Sequence, residues 1–83
     1  MNHSDQVRNY VLLNYITPAR KRGDATVSIR AGDIHRELNF RNRLPLVCAA
    51  LGAHVFEEMA NVERMSITGP VNGANAIFTF KIK

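Results

Sequence analysis

Eighty-three residues, 46% apolar and 22% charged, allow one domain at most and do not describe a disordered chain. No apolar run approaches the ~18–20 residues of a membrane span, and Met1-Asn2-His3-Ser4-Asp5 lacks the basic and apolar regions of a signal peptide. A single cysteine excludes an internal disulfide and a thiolate zinc centre, while eleven Lys/Arg against seven Asp/Glu leave a net charge of +4. The expectation is a soluble, cytoplasmic protein.

Ser4 is placed to cap a first helix over about 5–16, with Asp5 favourable in its first turn and Val7, Tyr10, Val11 and Asn14/Tyr15 at helical spacing. Pro18 is expected to interrupt it, with Ala19-Arg20-Lys21-Arg22 a further turn ended by Gly23-Asp24. Thr26-Val27-Ser28-Ile29 reads as a short strand. Ala31, Ile34 and Leu38 at i, i+3 and i+7 predict a second helix through Asp33–Leu38, followed by the four-residue connection Asn39–Asn42. Asn42 is the expected cap of a third helix over about 43–52, carried by Leu44, Val47, Cys48 and Leu51, with Pro45 tolerated in its first turn. Its outward positions are Leu46, Ala49, Ala50 and Ala53, and Leu51 belongs to the core. Phe56 to Ala60 predicts another helical turn. The period then changes to two: 64–68 and 76–82 read as strands, with Phe78, Phe80 and Ile82 on one face and Thr79 and Lys81 on the other. Gly69–Asn75 is a hairpin loop centred on Asn72-Gly73.

The resulting order is helix, strand, helix, turn, helix, strand, loop, strand. With the spacing of Ile34-His35-Arg36-Glu37-Leu38, the Asn39–Asn42 turn and Leu44–Leu51, it resembles the winged helix-turn-helix family over nearly the whole chain. The runs Val27–His35 and Leu44–Cys48 also resemble small archaeal proteins of unassigned function. The family likeness implies a small α+β domain whose third helix lies in the DNA major groove. Carried over residue by residue, it places Arg41, Asn42 and Arg43 at base edges, Asn42 serving mainly as a cap. Arg20, Lys21, Arg22, Arg30 and Arg36 fall at phosphates, and Asn72, Gly73 and Asn75 in the wing.

The charge agrees with a phosphate-bearing partner. Seven basic residues (Arg20, Lys21, Arg22, Arg30, Arg36, Arg41, Arg43) lie between positions 20 and 43, against Asp24, Asp33 and Glu37. The wing carries no Lys or Arg and the third helix is alanine-rich, so phosphate contacts are expected to dominate and sequence specificity to be modest. The partner is expected to be duplex DNA, with RNA, or a protein partner docked on the third helix or wing, as alternatives. The chain should be a monomer or weak homodimer unless Tyr10, Tyr15 or the Leu46/Ala50 face is exposed.

No catalytic constellation emerges, and no enzyme, metal or cofactor is expected. His3, His35 and His54 have no metal-site spacing, and His35 is expected on the surface beside the basic face. Cys48 falls on the apolar stripe of the third helix, and Gly69-Pro70-Val71-Asn72-Gly73 lacks the Lys-Ser/Thr ending of a phosphate loop. Asp33 and Glu37 form a carboxylate pair without a pocket.

Overall fold

The computed structural model describes residues 2–83. Its first helix begins earlier than the sequence suggests, as α1 (His3–Val11), because Asn2 takes the capping role expected of Ser4. Asn2 has extended backbone, and its side-chain oxygen accepts the Asp5 N–H at 2.8 Å. Pro18 does not interrupt the helix. A π-helical turn, Leu12–Ile16, links α1 directly to α2 (Thr17–Arg22), and the Thr17 N–H reaches back five residues to the Leu12 carbonyl. The extra residue lets Pro18, which has no N–H, sit in the first turn of α2 without opposing a regular carbonyl ladder. It also sets the buried face, Val7, Val11, Ile16 and Ala19. In a regular helix the five-residue step from Val11 would carry Ile16 about 140° around the axis. Gly23, at φ 79°, ends α2: its N–H bonds Arg20 O and the Asp24 N–H bonds Ala19 O.

The next elements are β1 (Thr26–Arg30), α3 (Ala31–Glu37), α4 (Leu44–Gly52) and α5 (His54–Ala60). The pair β2 (Val62–Thr68) and β3 (Ile77–Ile82) completes an α+β fold. The three strands form one antiparallel sheet in the order β1-β3-β2. Ile29 pairs with Phe78 and Val27 with Phe80 on one side of β3; Ile67 and Arg64 oppose the same two residues on the other. A bulge between Arg64 and Ser66 lets Met65 stand out of the ladder. The alternation expected for β3 holds: Phe78 and Phe80 are buried while Lys81 is exposed. Phe80 meets Phe56 of α5 edge-on at 5.3 Å, and Ile29, Ile34 and Leu51 close the same core.

Two expectations for α4 change. Asn42 is not its cap; it adopts φ 55° in the preceding turn, and Arg43 takes the cap position without a side-chain bond. Ala50 does not face outward. It is 1% exposed beneath Arg8, whose Nε donates to the Ala50 carbonyl at 3.2 Å, leaving Ala49 as the exposed alanine of the helix. Ala53 ends α4 and also begins α5, its ψ of 140° turning the chain sharply. No helix among the described residues is long and apolar enough to cross a membrane.

Candidate nucleic-acid interface

The segment from Leu38 to Arg43 joins α3 to α4 and carries the exposed residues Arg41, Asn42 and Arg43. Asn39 and Asn42 both lie in the left-handed region, at φ 59° and 55°. The Asn39 N–H bonds Arg36 O and the Phe40 N–H bonds His35 O, each at 3.0 Å. The Phe40 ring contacts the rings of His35, at 6.1 Å, and His3, at 5.4 Å, tying the turn to the start of α1. The Arg43 N–H donates to His35 Nε2 at 3.1 Å. No carboxylate among the described residues pairs with Arg41 or Arg43. Arg36 adds a third cation, its side chain 71% exposed and only 3.5 Å from Asp33, which also holds Arg30 at 2.8 Å.

The other cations are placed differently. Arg20 is built into the fold: its Nη2 donates to the carbonyls of Ala60 at 2.7 Å and Asn61 at 3.0 Å, closing the C-terminus of α5. Arg22 pairs with Asp24 at 2.9 Å, and Lys21 is exposed. The 17 residues between His3 and Arg20 correspond to about 25 Å of helix. Since His3 touches Phe40, the Arg20–Arg22 cluster and the Arg41–Arg43 turn lie near opposite ends of the first helix.

Arg30 is also engaged, donating to Asp33 and, through Nε and Nη2, to Asn75 Oδ1. That contact belongs to a tether. The first two amides of α3, Ala31 and Gly32, bond the carbonyls of Ala76 and Ala74 at 2.9 Å, so the β2–β3 loop caps α3 in place of a side chain. A Cβ on Gly32 would come within 2.8 Å of Ala74 O, which explains the glycine. Cys48 Sγ lies 4.0 Å from Gly73 O on the other side. Asn72, at φ 57°, is exposed, and Val71 is 89% exposed at the loop tip.

Between α4 and this loop lies an apolar groove of about 500 Å³, lined by Cys48, Ala49, Gly52, Ile67, Val71 and Phe78. Arg64 is at its edge, donating to the Gly52 carbonyl. Burial raises the Cys48 thiol above its ordinary pKa, keeping it protonated at neutral pH.

Two polar clusters leave no local pattern in the sequence. Glu37 accepts the hydroxyls of Tyr10 at 2.7 Å and Tyr15 at 2.8 Å, pinning α3 to the first helix. Burial, then the Glu37 hydrogen bond, holds the Tyr15 hydroxyl well above the usual phenol range; for Tyr10 the hydrogen bond is the leading cause. The Arg64 N–H donates to Glu57 at 3.1 Å and holds that carboxyl below its ordinary value, with His54 adding to the effect. No three His, Cys, Asp or Glu side chains among the described residues are grouped to hold a metal ion. Comparison with protein-family models, curated proteins and solved structures gives no match.

Proposed function

We propose that the chain is a winged-helix module that binds duplex DNA through the α3–α4 turn, as a small regulator or architectural protein of the cytoplasm. The observation that carries this reading is the group Arg36, Arg41 and Arg43: exposed guanidinium groups around one turn, two of them without a carboxylate partner, immediately before α4. Guanidinium forks suit phosphate oxygens, and arginine at the start of such a helix can reach guanine edges. The strand order β1-β3-β2, with α3, a turn and α4 between β1 and the hairpin, supports the winged-helix part of the reading; α5 is an addition to that pattern. Lys21 and Arg22 offer a second, outlying phosphate contact, while Arg20 and Arg30 serve the fold.

Fluorescence anisotropy with random duplex, single-stranded DNA and RNA at several salt concentrations tests the proposal. Three phosphates neutralised at the turn and one at the Lys21–Arg22 contact give a slope of log affinity against log salt of about −4. Arg43→Ala should change any preference among sequences, whereas Lys21→Ala should weaken all duplexes alike. Absence of duplex binding at low ionic strength refutes the reading, and stronger binding to RNA redirects it.

The apolar groove favours a second reading, a winged helix used for protein contacts. In that case Val71→Asp abolishes partner binding and leaves duplex affinity as it was. In either reading the expected species in sedimentation is a monomer or weak homodimer.

A further inference from the structure

We infer that His35 is a positioning residue: its unprotonated Nε2 fixes the Arg43 backbone, and with it the arginine-bearing turn and the start of α4. As a role in DNA binding this rests on the reading above. Arg43 stands where a Ser, Thr, Asp or Asn side chain would ordinarily cap the helix, and it makes no such bond. Instead its own N–H is held from across the turn by the imidazole at 3.1 Å. A ring nitrogen accepts a hydrogen bond only when it carries no proton, so this contact requires neutral His35 with its proton on Nδ1.

The ring is held in place for this task. The His35 carbonyl accepts the Phe40 N–H, and the two rings meet edge to face at 79°. Within α3, Asp33 is engaged by Arg30 and Arg36, and Glu37 by the two tyrosines. The turn contributes Arg43 and Phe40, and α1 brings His3 against the same Phe40 ring. No carboxylate among the described residues pairs with His35. A second proton would set N–H against N–H at the Arg43 contact and break it. With Asn39 and Asn42 both left-handed, few helical bonds hold the turn, and the imidazole ties it from within.

Long-range ¹⁵N correlation of the histidine rings in the full chain tests this without any ligand. Near neutral pH His35 should show the Nδ1–H tautomer, and the Arg43 amide shift should move in step with the His35 titration. An Nε2–H tautomer, or an Arg43 amide indifferent to that titration, overturns the inference. For the binding role, His35→Ala removes the acceptor, and His35→Gln restores one that does not titrate. Random-duplex affinity at neutral pH should fall about fivefold in His35→Ala and largely recover in His35→Gln. Equal affinity of both variants, with helix content preserved by circular dichroism, overturns the role in binding. If the wild type binds no duplex the DNA reading fails, yet the tautomer and amide measurements still decide whether His35 positions the turn.

Discussion

Arg20→Ala separates a fold contact from a phosphate contact. The guanidinium makes two charge-assisted bonds to the carbonyls of Ala60 and Asn61, the first part-buried and the second exposed. A hydrogen bond to a charged group contributes ~1.5–3 kcal/mol, the exposed one less, and the cation also loses its favourable place at the end of α5. The expected loss is about 2–3 kcal/mol. For a chain of this size total stability is about 4–12 kcal/mol, so the loss is a large share. With a urea m-value of ~1 kcal/mol/M, the denaturation midpoint should fall by about 2–3 M. Arg20→Lys should recover part of this, since both bonds leave one nitrogen, Nη2, and an ammonium on a shorter stem replaces it only in part. Duplex affinity, measured where the variant remains folded, should barely change. A midpoint shift below ~0.5 M together with weakened duplex binding would refute this assignment and return Arg20 to the phosphate contacts.

Leu51→Ala should cost ~2–5 kcal/mol in urea unfolding, because the side chain is wholly buried in the core and its loss leaves a cavity. Gly32→Ala gains up to ~1 kcal/mol of helix propensity but forces Ala74 O away, so a net loss of about 1–2 kcal/mol is expected, with faster amide exchange at Ala31 and Gly32. The raised Tyr10 and Tyr15 values fix the sign of a pH effect. Their contribution to stability is intact below pH ~10 and is lost as pH rises through the folded-state values. The double variant Tyr10→Phe, Tyr15→Phe should therefore lose less stability than wild type between pH 9 and 11 in thermal melts.

Elements whose signal is periodic were legible in the chain. Phe78 and Phe80 against Lys81 define β3, and Leu44, Val47, Cys48 and Leu51 define α4, because alternation and helical spacing record burial residue by residue. What escaped depends on partners distant in sequence. Arg20 meets Ala60 across forty residues, and nothing near Arg20 distinguishes it from Lys21. His35 looks like a surface histidine until the turn brings the Arg43 amide to it. The cap at Asn42 failed because asparagine also tolerates left-handed backbone, and here that preference prevails. The π turn was hidden because it rescues the apolar face by breaking the period that marks it. The basic run itself was legible, but not that Arg20 and Arg30 are engaged by other parts of the fold while Arg41 and Arg43 have no carboxylate partner.

The bulge at Met65 has a consequence for how the chain behaves in a crowded solution. A three-stranded sheet has two open borders, and β2 is one of them, seven residues long with Met65 and Ile67 exposed. A flat strand of that kind is a template on which another copy can add its own strand. The extra residue at Met65 bends and twists β2 at its middle, so no long straight run of backbone groups is presented. Deleting Met65 would straighten the border, and its effect would be felt less in the folding of one molecule than in the tendency of many to polymerise edge to edge.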